Sequence, residues 1–277
     1  MRRLITNPMI IKELRQRLRE RRAWLLPTLY LLVVSGTTLF AYYLVIGEQA
    51  GGTQREVQGA DIGIAIFMTV IFTQLVALLL MAPVFSAAAI TIEKEQRTLP
   101  GLLTSLLTTP QIWWGKFVVA VLFLLLLLSS GIPLLTLSFA FGGVEPMQLV
   151  EAIGCTVLVL ASICTIGLWC SAMFRRSVHS TASCYGILLV LGVVTAVIFG
   201  LLVSHWSDVN NNSAQLAPPA YVQAPLFLNP FYPLMAILPG SGEAFTYPLP
   251  SCLLFAAIGC LAAAFAMRRL QRSGEQV

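Results

Sequence analysis

Residues 112–141 read IWWGKFVVAVLFLLLLLSSGIPLLTLSFAF, and no charged side chain follows Lys116 in this stretch. An α-helix needs roughly 20 apolar residues to cross about 30 Å of hydrocarbon, so the stretch is long enough to span a membrane. A strand of a membrane barrel would instead alternate apolar and polar residues over about ten positions. The stretch therefore predicts a transmembrane helix.

Five more apolar runs of spanning length occur: Trp24–Ile46, Ile62–Ile92, Leu149–Phe174, Ala182–Val203 and Pro248–Met267. Of the 277 residues, 57% are hydrophobic and 10% are charged, whereas soluble domains carry about 25% charged residues. We predict an all-α polytopic membrane protein with about six transmembrane helices. Its single transmembrane domain, residues 1–277, comprises a cytoplasmic interfacial helix (1–23), spans one to five (24–203), an extracytoplasmic Pro/aromatic segment of short interfacial helices (204–247), span six (248–267) and a cytoplasmic tail (268–277).

Lysine and arginine lie on one side of this topology. Three of the connections between spans contain a single basic residue, Arg55, whereas the other two connections and both chain ends are basic. Because basic loops stay in the cytoplasm, we predict that both termini are cytoplasmic and that the protein lies in the cell (inner) membrane. The net charge of +5 would then face anionic lipid head groups, so we expect no nucleic-acid partner.

The segment before the first span is predicted to be an amphipathic helix on the membrane surface. Asn7 and Pro8 form a helix start signal, and Leu14 and Leu18 lie on an apolar stripe. The alternative is a basic anchor with no special role. The predicted membrane-surface residues are Lys12, Arg15, Arg17, Arg19, Arg21 and Arg22.

The connection between the second and third spans, residues 91–110, reads TIEKEQRTLPGLLTSLLTTP. Its leucines recur with the spacing of one helical face, with Pro100 in the first turn and Pro110 as the stop signal. The pattern predicts a short amphipathic cytoplasmic helix. Its leucine face must be covered by the membrane or by a protein partner, because the chain offers no soluble domain for it to pack on.

The order of motifs here resembles the permease subunits of type 2 ABC exporters. That family has an acidic-basic-acidic run, Gly-Thr-Leu, a leucine-rich short helix, Thr-Pro and then Gly-Lys at the start of the third span. Two positions depart from the pattern: Arg97 stands where the family usually has glycine, and Pro100 lies in the first turn. The matching residues are Glu93-Lys94-Glu95, Thr98-Leu99, Leu102-Leu103, Thr109-Pro110 and Gly115-Lys116.

The resemblance implies that the short helix is a coupling helix that docks on a separate P-loop ATPase subunit. The chain has no GxxxxGK[ST] motif, so we expect no enzyme activity and no bound cofactor, with ATP and Mg on that partner. It also implies a second permease copy or a paralogue. The implied ATPase-coupling residues are Glu93, Glu95, Arg97, Thr98, Leu99, Leu102, Leu103, Leu106 and Leu107.

Uncharged polar residues lie deep in the spans, whereas charged residues lie near span ends. The deep residues either bond neighbouring helices or line a substrate pathway. We expect an exporter of a lipid-like, glycan or drug-like substrate; the alternatives are an ion-coupled secondary transporter or channel, which usually needs midplane charges, and a non-transporting membrane anchor. The deep polar residues are Thr69, Thr73, Gln74, Ser129, Ser130, Ser162 and Thr165.

An intramembrane enzyme and a cysteine-based site are disfavoured. His179 and His205 fall at span ends, and no HExxH motif is present. None of the six cysteines belongs to a CxxC pair, so we expect small apolar residues and no metal or redox site.

Overall fold

The computed structural model describes residues 22–50, 59–97, 109–209, 219–237 and 248–274, and all regular structure in these ranges is helical. The all-α prediction is confirmed. The α-helices are α1 (Arg22–Ala50), α2 (Gly59–Ser86), α3 (Thr91–Glu95), α4 (Thr109–Phe141), α5 (Pro146–Met173), α6 (Ser177–Leu189), α7 (Thr195–Val209), α8 (Ala220–Gln223), α9 (Tyr232–Met235) and α10 (Pro248–Gly274).

Within these ranges, six helical stretches are long and apolar enough to cross a membrane, as predicted. They are Leu25–Ile46, Gly59–Glu95, Thr109–Phe141, Pro146–Met173, Ser177–Trp206 and Pro248–Gln271. The protein is therefore a multi-pass membrane protein. The predicted surface helix (1–23) lies outside the described residues except for Arg22 and Ala23, with which α1 begins.

Helix α2 lies at the centre of the bundle, where it packs against α1, α4, α5 and α6, and α10 packs along α5. The core at this centre is apolar, with Phe67, Leu75, Leu127 and Ile163 fully buried. We call the end of the bundle that carries Lys94, Arg175, Arg176 and Arg268 the basic end. The end that carries Asp61, Glu145 and Glu151 is the acidic end.

The second span is not one regular helix across the predicted range Ile62–Ile92. Helix α2 ends at Ser86, a turn follows, and the chain resumes as α3. The main-chain amides of Ile90 and Thr91 donate to Ser171 Oγ of α5, at 2.9 and 3.0 Å. The hydroxyl oxygen of Ser171, on another helix, therefore accepts two main-chain hydrogen bonds at the point where the regular helix is interrupted.

Helix α4 begins at Thr109 rather than at the predicted Ile112, and Pro110 is its second residue. Proline is tolerated there because the first N–H groups of a helix have no intrahelical partner. The short helix that Pro110 was predicted to end lies outside the described residues, so that role stays a prediction.

The fifth span contains a π-helical turn, Val190–Val194, between α6 and α7. Next to it lies the chain 219–237, in which α8, a 3-10 turn (Ala224–Leu228) and α9 follow one another. Short helices were predicted in this segment, at the membrane surface. In the structure one of them, α9, also packs into the helix bundle. Tyr232 and Leu234 are 1% and 2% exposed, because α9 packs against α5 and α10.

Candidate functional site

The charged run Glu93-Lys94-Glu95 lies at the basic end and forms the last three residues of α3. It forms the described start of the connection whose leucine face was predicted to bind an ATPase. Thr98 and the leucines at 99, 102, 103, 106 and 107 lie outside the described residues, so their assignment stays a prediction. The structure does place the three charged residues, and each binds a different helix.

Glu93 pairs with Lys116 of α4. Lys116 Nζ lies 2.7 Å from Glu93 Oε1 and also donates to the carbonyl oxygen of Ala89 at 2.7 Å. The Lys116 side chain is 2% exposed and that of Glu93 is 20% exposed. A charge this buried is stable only when it is paired and hydrogen-bonded. The pair therefore fixes the start of α4 against the turn that ends the second span.

Lys94 closes the C-terminal end of α5. Its Nζ donates to the carbonyl oxygens of Ser171, Ala172 and Phe174, at 2.9, 2.6 and 2.9 Å. An ammonium group has three donors, and all of them are used here. The last carbonyls of a helix have no intrahelical partner and carry partial negative charge, which a lysine neutralises well.

Glu95 binds the next helix. Its Oε1 accepts a hydrogen bond from the main-chain amide of Ser177, the first residue of α6, at 2.6 Å. A carboxylate at a helix N-terminus satisfies a free N–H and opposes the partial positive charge of the helix dipole. The positive charge of Lys94 thus lies at the partially negative C-terminal end of α5, and the negative charge of Glu95 lies at the partially positive N-terminal end of α6.

Uncharged contacts hold the same turn in place. Ser180 Oγ of α6 donates to the carbonyl oxygen of Ala87 at 2.8 Å, and Ser86 Oγ lies 2.0 Å from the position that a Cβ on Gly167 would occupy. A side chain at Gly167 would therefore collide with Ser86. Together with the Ser171 bonds, these contacts give the turn fixed partners on both α5 and α6.

Arg97 has a φ of 56°, in the left-handed region. It follows the C-cap residue of α3, Gln96, and its main-chain amide donates to the carbonyl oxygen of Lys94 at 3.3 Å. Helices commonly end in this conformation with a glycine, which has no Cβ to clash. The left-handed backbone at this position explains why the family pattern has glycine here. In this chain Arg97 adopts that left-handed conformation.

Glu93, Glu95 and Arg97 were predicted coupling residues, whereas Lys94 and Lys116 were named only as part of the family motif and of the basic connection, with no group for either side chain to bind. One signal was available for Lys116. It lies between Trp113 and Phe117 in an apolar helix, so its charge needs a partner from another part of the chain.

A family model described as ABC-2 family transporter protein matches residues 8–268. The chain belongs to this family. The match includes the first five spans, the sixth span as far as Arg268, and the whole 91–110 connection. No curated protein matched the chain.

In this ABC-2 chain, most of the predicted deep polar residues bond their own helix. The hydroxyls of Thr69, Ser129, Ser130, Ser162 and Thr165 donate to carbonyl oxygens three or four residues earlier. Such bonds satisfy the hydroxyl without joining helices. Thr73 is partly buried, and its role stays a prediction.

Gln74 is the deep polar residue that joins two helices of the ABC-2 bundle. Its Nε2 donates to the carbonyl oxygen of Leu128 in α4 at 3.1 Å, and the side chain is 1% exposed. Gly131 makes room for it, because a Cβ there would lie 3.0 Å from Gln74 Oε1 and 3.1 Å from Tyr30 Oη. This contact favours the helix-packing interpretation over the pathway interpretation for Gln74.

Ser162 and Thr165 also contribute to packing. A Cβ on Gly259 of α10 would lie 3.3 Å from Ser162 Oγ and 3.3 Å from Thr165 Oγ1. Small residues let membrane helices approach closely, so these two residues belong to the α5–α10 interface of the ABC-2 chain.

Proposed function

We propose that this chain is the membrane-spanning permease subunit of an ATP-driven exporter, and that residues 93–110 couple it to a separate ATPase subunit. The observation that carries the proposal is the binding of Glu93, Lys94 and Glu95 to three different helices. A force applied to the adjoining segment 98–108 would reach α4, α5 and α6 together. Family membership supports a transport role for the chain.

The proposed substrate class is supported by the position of charged residues in the spans. Most charged residues of the described ranges lie near helix ends, and Lys116, which lies further inside α4, is neutralised by Glu93. Ion-coupled carriers and proton pumps usually place ionisable residues at the midplane. We therefore propose a lipid-like, glycan or drug-like substrate rather than an ion-coupled one.

We propose that the basic end faces the cytoplasm of the cell membrane, that both termini lie there, and that two permease copies, or one and a paralogue, enclose the pathway. ATP and Mg would bind to the ATPase subunit. The support for this orientation is the concentration of Lys and Arg at one end. In a cysteine-free background, Asp208→Cys should react with an impermeant maleimide in intact cells, and Arg176→Cys only after permeabilisation. The reverse pattern would refute the orientation.

The coupling role is tested with the double variant Leu102→Asp and Leu106→Asp. Each docked leucine contributes roughly 1.5–3 kcal/mol when it is removed from water, so two buried aspartates should separate the subunits. The permease should still insert, because its spans do not depend on that face. The measurement is co-purification of a co-expressed candidate ABC ATPase subunit, together with the response of its ATP hydrolysis to the permease.

The matched control is Thr104→Asp with Ser105→Asp, which adds the same two charges on the opposite face of the predicted helix. This control should retain the ATPase. If the leucine variant retains the ATPase as well as the control does, the coupling role is wrong. A channel or a membrane anchor would then be the better interpretation.

A further inference from the structure

Two cysteines meet where α5 packs along α10. The Sγ atoms of Cys155 and Cys252 are 3.3 Å apart. Both residues are partly exposed, whereas Cys164, Cys170 and Cys184 are buried. The pair is therefore more open to reagents than the three buried cysteines.

The depth of this pair follows from its neighbours. Glu151 is exposed on α5, one turn before Cys155, and a carboxylate is costly to place deep in hydrocarbon. Cys155 lies about 6 Å further along the helix than Glu151, and Cys252 lies about 6 Å from the start of α10 at Pro248. The two thiols thus lie near the membrane surface at the acidic end, where polar reagents can reach them.

We propose that Cys155 and Cys252 form a thiol–disulfide exchange site that takes small disulfide oxidants and closes to a disulfide between α5 and α10. One cysteine thiolate attacks a sulfur of the oxidant, forms a mixed disulfide and releases one thiolate. The second cysteine thiolate attacks the mixed disulfide at the protein sulfur and releases the other thiolate. The two protein thiols are oxidised, the oxidant is reduced to two thiols, and the two cysteine protons pass to them.

This reaction needs little movement in the protein, because the two thiols are already in contact across helices that pack together. Helix α9, which carries the buried Tyr232 and Leu234, packs against both α5 and α10. The disulfide would therefore link the two helices on which α9 packs. The proposal concerns the acidic end. It stands apart from the ATPase coupling proposed for the basic end.

The test uses the full chain in its membrane. The membranes are treated with dipyridyl disulfide and then with N-ethylmaleimide, and the cysteine peptides are identified by mass spectrometry without reduction. The wild type should give a peptide pair that links Cys155 to Cys252 and separates on treatment with dithiothreitol. Adducts on the two serine variants show that the reagent reaches each position of the pair.

Cys155→Ser and Cys252→Ser are the matched variants, and each replaces one sulfur with oxygen. In each variant the remaining cysteine of the pair should keep a stable pyridyl adduct, because no second thiol is there to displace it. If the wild type instead carries separate adducts on Cys155 and Cys252, as the variants do, the proposal is overturned. If neither a linked pair in the wild type nor a pyridyl adduct in the variants forms, the proposal is overturned equally, because the pair is then closed to disulfide oxidants.

Discussion

The side-chain amide of Asn229 donates a hydrogen bond to the main-chain carbonyl oxygen of Gly192, with Nδ2 and O 2.9 Å apart. Gly192 lies in the π-helical turn of the fifth span, and Asn229 Nδ2 also lies 3.1 Å from Thr195 Oγ1. On its other side, Asn229 Oδ1 accepts from the main-chain amide of Phe231 at 2.9 Å. The side chain is 6% exposed, so these bonds join the 219–237 chain to the fifth span in a place shielded from water.

Replacing Asn229 with leucine should release this chain from the fifth span. Leucine has the same branched shape but can neither donate to Gly192 nor accept from Phe231, so two part-buried main-chain groups lose this partner. Each such loss costs roughly 1–3 kcal/mol. The melting temperature of the purified protein should fall, and protease cleavage within residues 219–237 should become faster.

The control for this substitution is Thr136→Val, which removes an exposed hydroxyl that bonds only Pro133 of its own helix. It should leave both measurements unchanged. Equal protease resistance of wild type and Asn229→Leu would contradict the role of Asn229.

The pair Glu93–Lys116 predicts strongly coupled mutations. Lys116→Met should destabilise the protein by about 3–5 kcal/mol, because it leaves the Glu93 carboxylate without its buried cation. Adding Glu93→Gln to Lys116→Met should recover part of this loss, since no uncompensated charge then remains. A double-mutant cycle on unfolding in detergent measures the interaction.

For comparison, Arg268→Met removes an exposed cation at the same end of the bundle and should change stability little. Strict additivity of the Glu93 and Lys116 effects would count against the ion pair.

Arg97 predicts a stabilising substitution. A residue with a Cβ destabilises the folded state by about 1–2 kcal/mol when its backbone is in the left-handed region. Glycine avoids this strain but loses more conformational entropy on folding, which offsets roughly 0.5–1 kcal/mol of the gain. Arg97→Gly should therefore raise stability by about 0.5–1 kcal/mol, seen as a higher melting temperature. The neighbouring Gln96 has an ordinary φ of −78°, so Gln96→Gly should lower it. If Arg97→Gly lowers the melting temperature, the contacts of the Arg97 side chain stabilise the protein by more than its left-handed backbone destabilises it.

Close packing at the basic end predicts that Gly167→Ala is harmful. The added methyl group would lie 2.0 Å from Ser86 Oγ and 2.8 Å from Ser86 Cβ, and Ser86 is fully buried. Overpacking of this kind costs typically 1–3 kcal/mol. Ser86→Ala should relieve part of it, because the nearer of the two atoms is removed.

Gly154, in the same helix, has open space where its Cβ would lie. Gly154→Ala should therefore keep or slightly raise the melting temperature. Similar melting temperatures for the Gly167 and Gly154 variants would refute the close approach of α5 to α2.

The spans were predictable because each is a local property of the sequence. A backbone segment in hydrocarbon must satisfy its own hydrogen bonds, so a long apolar run such as 112–141 can only be a helix. The partners of those helices were not predictable in the same way. Lys94 bonds carbonyl groups 77 to 80 residues away, and nothing in the run Glu93-Lys94-Glu95 states which helix end it meets.

The π-helical turn was hidden for a related reason. Residues 189–194 are uniformly apolar apart from Gly192, so they contain no periodicity that could reveal an extra residue in the turn. Its polar partner, Asn229, comes from a Pro-rich and aromatic stretch where only short helices could be expected. The end of α2 at Ser86 is likewise set by Ser171 and Gly167 of another helix.

The partners of Glu93, Lys94 and Glu95 lie at different distances along the chain, so the contacts at the basic end can form only in a fixed order during biosynthesis. Glu93, Lys94 and Glu95 leave the ribosome before all of the partners described for them on other helices. Lys116 arrives first with α4, the terminal carbonyl groups of α5 come next, and the amide of Ser177 comes last. A nascent chain that stops before Ser177 would lack the group that Glu95 binds, so completion of this end must wait for the fifth span to emerge.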